Sequence, residues 1–299
     1  MSLLRVLATC VVVCVFSALQ LQAQKATCTN WNLWLLNPAD SNNPRIGPVA
    51  GVNDNRTVVG TAAYNFNKPN IWGFVHYLNG NVTYWHPTNS KQSSLEGRNN
   101  LGNTAGNYLD TAGIWHAAYL HGSTTTLIAH PNAAQHSTYL VGINNLNTVL
   151  GGYKDSNGQW HNFKRRSDGT FLNVPNFPGA MSTSASGFND NGVVVGWYVL
   201  PTDSSRVAHG YIYRNGSFAT LNYRNQITST SLVGISNNGV VVGNHFFNDG
   251  FLYVNGVFKN IFGPHGEHAT VRGISANGVI AGDMYVSGTG EHGFTVTCH

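Results

Sequence analysis

A ten-residue phrase recurs six times along this chain. It runs from a glycine through Asn or Ser and a turn residue into a run of Val, Ile or Ala and, mostly, a closing glycine. The copies are GVNDNRTVVG from Gly51, GRNNLGNTAG from Gly97, GINNLNTVLG from Gly142, GFNDNGVVVG from Gly187, GISNNGVVVG from Gly234 and GISANGVIAG from Gly273. Successive starts lie 46, 45, 45, 47 and 39 residues apart. Self-similarity at that period requires stacked or radial supersecondary units in place of one ordinary core.

The unit from Gly234 to Ile261 shows what each copy builds. Ser236-Asn237-Asn238-Gly239 is a turn, since Asn and Gly tolerate positive φ. Val240-Val241-Val242 is a β-branched run suited to a strand buried on both faces. Phe251-Leu252-Tyr253 follows as a strand, Asn255-Gly256 marks a hairpin, and Val257 to Ile261 alternates apolar with polar as an outer strand should. The second hairpin recurs at Asn79-Gly80, His121-Gly122, Asp168-Gly169 and Asn215-Gly216. Four strands per unit, six units and no helical period predict an all-β fold, a six-bladed β-propeller of four-stranded blades.

The last unit ends at Cys298-His299 without a fourth strand, whereas Trp31 to Leu36 precedes the first unit as an orphan strand. The expectation is that strand 31–36 completes the last blade and closes the ring. Cys28 and Cys298 then fall where other blades carry the Asn-Gly turn, and a disulfide between them takes the place of that hairpin.

Residues 1–23 read as a signal peptide, with Arg5 in a positive head, an apolar stretch from Val6 to Leu19, and small residues near the cut. That stretch is too short to span a bilayer and no later one qualifies. Cys10 and Cys14 lie inside it, leaving two cysteines in an exported, oxidised chain. The rest, residues 24–299, reads as one propeller domain with blade repeats starting near 51, 97, 142, 187, 234 and 273. Only 9% of residues are charged and the formal net charge is +4, too weak and scattered for nucleic acid. A monomer is expected.

The glycine-led phrase is followed downstream by a short strand element. It reads His209-Gly210-Tyr211 and His292-Gly293-Phe294, and more loosely His116-Ala117-Ala118-Tyr119 and His161-Asn162-Phe163. This pairing resembles the HAF family of bacterial extracellular repeats over about residues 51–294. Two units depart from it, with Trp72-Gly73-Phe74 and Asp249-Gly250-Phe251. The resemblance implies secretion and a propeller-like fold, and it brings no activity or catalytic residue.

Strand alternation puts the short first and third hairpins on one face of the disc. The longer, variable connections, such as LDTAGIWH, KDSNGQWH and FGPHGEHAT, fall on the other. A ligand site belongs on that second face. Trp115 and Trp160, each before a repeated histidine, could stack on sugar rings or cap the space between blades. His116, His161, His209 and His292 recur at equivalent positions, which argues for local hydrogen bonding over chemistry, because catalysis breaks symmetry. His265-Gly266-Glu267-His268 occurs once and packs three potential ligands into four residues, though a solvated loop is the plainer reading. The candidate binding residues are Trp115, Trp160, His265 and His268, with no metal, cofactor or catalytic residue expected. There is no Gly-x-Ser-x-Gly elbow and no His-Glu-x-x-His, and Gly288 to Gly293 matches a dinucleotide pattern only formally, with no helix behind it. The expected function is a secreted, non-catalytic scaffold binding a carbohydrate, a cell-surface component or a protein. The alternatives are a propeller hydrolase or lyase acting on polysaccharide, and a purely structural envelope or matrix protein.

Overall fold

The computed structural model describes residues 24–35, 45–65, 68–203, 207–225, 228–245 and 249–299. The signal peptide expected at 1–23 lies outside them, as does Leu36. Each of the six repeats supplies antiparallel strands in sequence order. Repeat three shows the pattern with Tyr139–Ile143, Val149–Lys154, Trp160–Arg165 and Phe171–Val174, innermost to outermost. Repeat four follows with Ser182–Phe188, Val194–Val199, His209–Arg214 and Ser217–Thr220. The fifth sheet, Thr230–Ile235 to Val257–Asn260, gains a parallel two-residue strand, Gln24–Lys25, on its outer edge. In the last, Ala269–Ile274, Val279–Val286 and Gly290–Cys298 are followed by Cys28–Leu35, which runs antiparallel along Gly290–Cys298 with Cys28 opposite Cys298. The two cysteines are disulfide-bonded, their Cα atoms 4.1 Å apart. The architecture is an all-β propeller.

The expectation of six separate sheets is corrected by the hydrogen bonding. Four sheets stand apart as blades, while repeats one and two form one curled eight-stranded sheet. The join is a single parallel bridge, Ile71 to Gln92, between Lys68–His76 and Ser90–Arg98. Both strands are nine residues long, and Gly73 lets Leu95 of the next strand close onto its bare Cα. The Gly73 amide donates to Ser93 Oγ at 3.0 Å, and that hydroxyl donates to the Trp85 carbonyl at 2.6 Å. The two meanders thus share a strand bridge in addition to the contacts that neighbouring repeats make at the hub.

The recurring phrase builds the hub. In all six repeats the innermost strand slips register at the residue before the phrase glycine, a β-bulge. The bulged residues Ala50, Glu96, Val141, Ser186, Val233 and Arg272 line a central cavity of about 80 Å³ together with the six glycines. A Cβ on Gly97 would stand 3.0 Å from the Cα of Gly142, and one on Gly187 would stand 2.9 Å from the Cα of Gly234. At Gly51, Gly97 and Gly187 the phrase opens on glycine because the next repeat's backbone leaves no room for a Cβ, whereas at Gly142 nothing lies within 4 Å.

Its third residue has two roles. In Asn53, Asn99 and Asn144 the side-chain oxygen accepts from amides two and four residues on, capping the turn. The side-chain amide reaches the equivalent carbonyl of the next repeat: Asn53 to Asn99 at 3.2 Å, Asn99 to Asn144 at 3.0 Å, Asn144 to Asn189 at 3.3 Å and Asn189 to Ser236 at 2.9 Å. A second belt passes from the Asp54 amide through Asn100, Asn145, Asp190 and Asn237 to Ala276, and returns from the Asn277 amide to Asp54 Oδ1 at 2.8 Å. The ring of turns closes on itself after six repeats.

The seams are apolar. Phe74, Phe163, Tyr211, Phe251 and Phe294, all at one position of the third strand, are fully buried. Each ring contributes roughly 1.5–3 kcal/mol by leaving water. The small residue before it meets the following repeat: Gly73 against Leu95, Gly210 against Leu232 and Gly250 against Val271. At the closing seam the Arg56 guanidinium donates to the Asn30 carbonyl at 2.7 Å and to Thr297 Oγ1 at 3.0 Å.

Candidate functional site

The long connections gather on the face opposite the hub turns, and two clefts open there. Each begins with a tryptophan at the first position of a third strand, where the connection has just ended. Trp115 is 45% exposed and Trp160 51%. The backbone under each is fixed by an acid six residues upstream of the neighbouring histidine. Asp110 Oδ1 accepts the Ile114 amide and its Oδ2 bonds His116 Nε2, both at 2.9 Å. Asp155 repeats this with the Gln159 amide and His161 Nε2, both at 2.9 Å, and Asp203 holds His209 Nε2 at 3.1 Å. The imidazoles stack on Tyr108, Tyr153 and Tyr198. The hydrogen bond from histidine, and then the backbone donors, hold the Asp110 and Asp155 carboxyls below the usual carboxylate range. His292 lacks such an acid and its Nδ1 lies 3.0 Å from the Gly290 carbonyl.

The far wall of each cleft is the connection to the next repeat, pinned by another repeated device. The amides of His130, Phe177 and Tyr223 each donate to a threonine hydroxyl, Thr138, Thr183 and Thr230, at 3.0 Å. Their rings stack face to face on Tyr153, Tyr198 and His245, with centroids 3.8, 3.6 and 3.7 Å apart. Desolvation pushes the pKa values of His130 and His245 down.

The Trp115 cleft has a volume of about 340 Å³ and is largely apolar, lined by Trp115, Leu127, Ala133 and Ala134 with the imidazoles of His130 and His136. The Trp160 cleft, about 280 Å³, joins Trp160 and Trp197 to a polar edge of Gln159, Asn176, Ser182 and Ser184. Tyr139 packs edge-on to Trp160 at 5.6 Å and holds the indole upright.

His265 and His268 enter neither cleft. They lie in the connection between repeats five and six, where Glu267 Oε2 accepts the His265 amide and His268 Nδ1 bonds Asp249 Oδ1 at 2.7 Å. Among the described residues no three His, Cys, Asp or Glu side chains gather as a metal site, and no helix is long and apolar enough to cross a membrane. Asp110 and Asp155 orient the repeated histidines, a role that turn composition alone does not reveal. The signal was the Asp-x-x-x-x-x-His spacing shared by three repeats. The cleft residues Asn176, Met181 and Trp197 carried no such repeat.

No protein-family model matches the chain, and no curated protein sequence does. Solved structures do, and they are β-propellers. The β-propeller domain of the Trilobed protease from Pyrococcus furiosus, which has an open Velcro topology, superposes with a TM-score of 0.57 at 10% identity, over 92% of this chain and 98% of that one. SapL1 lectin in complex with alpha methyl fucoside gives 0.51 at 10% identity, over 84% and 94%. TolB from Acinetobacter baumannii gives 0.50 at 13% identity, over 82% of this chain and 66% of that chain. At such identities the likeness is one of fold alone.

Proposed function

We propose that this protein is a secreted propeller that binds carbohydrate without turning it over, using the Trp115 and Trp160 clefts. Export is supported by the signal-like residues 1–23 and by the Cys28–Cys298 bond, which belongs in an oxidising compartment.

The observation that carries the reading is the pair of half-exposed indoles at equivalent positions in adjacent repeats, each forming the wall of a cleft. A pyranose presents an apolar C–H face and a rim of hydroxyls. An indole face with convergent amide and hydroxyl groups, as Trp160 has with Asn176, Ser182 and Ser184, is complementary to both. The propeller of SapL1 lectin, bound to a fucoside, shows that a disc of this kind can present a sugar site. The acids nearest the clefts, Asp110 and Asp155, are committed to histidines and turn amides in one repeated geometry, which favours a scaffold role over acid–base chemistry. A glycan panel probed with residues 24–299 tests the reading. Trp115→Ala together with Trp160→Ala should abolish binding with an unchanged melting profile, and the hub-face substitution Asn215→Ala should not affect it. Polysaccharide cleavage lost on changing Glu267 or Glu291 would overturn it in favour of an enzyme.

A further inference from the structure

Resting on the carbohydrate reading above, we infer that the two clefts form one bivalent site for an uncharged polysaccharide chain, with repeat three as the rigid spacer between its halves.

Thr138 lines the Trp115 cleft, and the very next residue, Tyr139, lines the Trp160 cleft. Thr138 immediately precedes the strand that Tyr139 begins, so the Trp115 cleft abuts repeat three from the repeat-two side, while Ser182 and Ser184 of repeat four border the Trp160 cleft on the other. Sheets pack roughly 10 Å apart, which sets the scale of the separation. The spacer is stiff where it matters. Both tryptophans start strands and are backed by the same Asp–His clamp, and the cleft walls are pinned by His130 and Phe177 stacked on Tyr153 and Tyr198. Two sites of fixed spacing and orientation on one face turn the second binding event of a chain into an intramolecular one.

Tryptophan at the first position of the third strand is confined to these two repeats. The matching position holds Ile71 in repeat one, Ala208 in repeat four and Glu291 in repeat six. The aromatic sites are therefore adjacent, which suits successive parts of one linear ligand and not six equivalent heads. The lining of both clefts contains no Asp, Glu, Lys or Arg. The cation beside them, Lys154, has its Nζ 5.9 Å from the centroid of the Trp160 ring, so a neutral chain is the ligand class inferred and a charged polymer is its control. The halves differ in kind: the Trp160 cleft offers hydrogen-bonding groups to hydroxyls, while the Trp115 cleft offers an apolar hollow to the bare face of a sugar.

The test is a titration of residues 24–299 with neutral β-linked gluco- and manno-oligosaccharides, monomer through hexamer, and with polygalacturonate as the charged counterpart. The expected result is affinity rising on the order of 100-fold or more once the oligomer reaches both clefts. Either single change, Trp115→Ala or Trp160→Ala, should remove that rise while leaving short-oligomer binding at the remaining cleft. Trp115→Phe and Trp160→Phe, which keep a flat ring, should retain most of it, and melting curves verify that each variant is folded. Affinity independent of length with both clefts occupied, or preference for polygalacturonate, would overturn the bivalent neutral-chain site and leave carbohydrate binding standing. If no neutral glycan of any length binds, the carbohydrate reading falls and this inference falls with it.

Discussion

The side-chain amide of Asn99 in the second repeat donates to the backbone carbonyl of Asn144 in the third at 3.0 Å, while the oxygen of the same side chain caps its own turn. One residue type thus ties hairpin to hairpin, and it explains why the phrase repeats where it does. Ser236 and Ser275 hold the equivalent place, and their hydroxyls accept only the amide four residues on.

This separates the two roles by mutation. Asn144→Ala leaves several buried amide and carbonyl groups without partners, and we expect a loss of about 2–4 kcal/mol in chemical unfolding. Asn144→Ser keeps the turn cap and gives up the bond to Asn189, so it should cost about half as much. Equal losses for the two would show that the cross-repeat bond contributes nothing.

Acid sensitivity should begin near neutrality. His76, His130 and His245 have folded pKa values pushed below 6.5 by burial, so the unfolded chain takes up protons first. Their contribution is present above about pH 6.5 and is lost as pH falls from there through their folded values. Burial raises the Glu96 carboxyl above 4.5 and contributes in the opposite sense, gaining as pH falls through its folded value. Asp110 and Asp155, held low, lose their contribution only below about 3.8. Phe177 occupies the place of His130 one repeat on, so His130→Phe should flatten the upper part of the profile. Melting temperatures between pH 8 and pH 5 that fall as steeply in the variant would exclude His130 as a source.

Tyr211 is the exception among the five buried third-strand rings, because its hydroxyl is fully buried and has no partner among the described residues. Burial raises its pKa and keeps it neutral. Phenylalanine serves at the other four positions, so Tyr211→Phe should stabilise the fold by about 1 kcal/mol. A destabilised variant would mean that the hydroxyl is solvated in the folded state.

The Cys28–Cys298 bond spans a sequence separation of 270 residues. In the chain-entropy treatment it removes about 5–6 kcal/mol of unfolded-state freedom. Reduction, or Cys28→Ser with Cys298→Ser, should lower the melting temperature and unfold the last sheet first. An unchanged melt in reductant would deny the bond a stabilising role.

Much of this was legible in the chain. The positive φ of Gly239 and Gly256 follows from Asn-Gly chemistry, and the missing partner of Gly290–Cys298 pointed to Trp31 to Leu36, of which the structure describes Trp31 to Leu35. What periodicity does not encode is distance between neighbours. That Lys68–His76 and Ser90–Arg98 share a bridge depends on how far two strands extend and on the bare Cα of Gly73. The clefts were half legible. Trp115 and Trp160 stand out because they break a repeat, whereas Asn176 and Ser182 reach the site only because the Phe177 connection folds back toward Trp160. His265 and His268 drew notice through composition, which carries no information about which seam a loop overlies.

The strand Cys28–Leu35 also dictates an order of assembly. Its partner, Gly290–Cys298, lies a sequence separation of 270 residues away at the cysteine pair, so this non-local pairing is available only after repeats one to five have been made. Until then the nascent ring is a crescent whose final sheet lacks its outer strand, with an unpaired edge open to any passing strand. High contact order makes that closure slow, and the disulfide then makes the slow step hard to reverse.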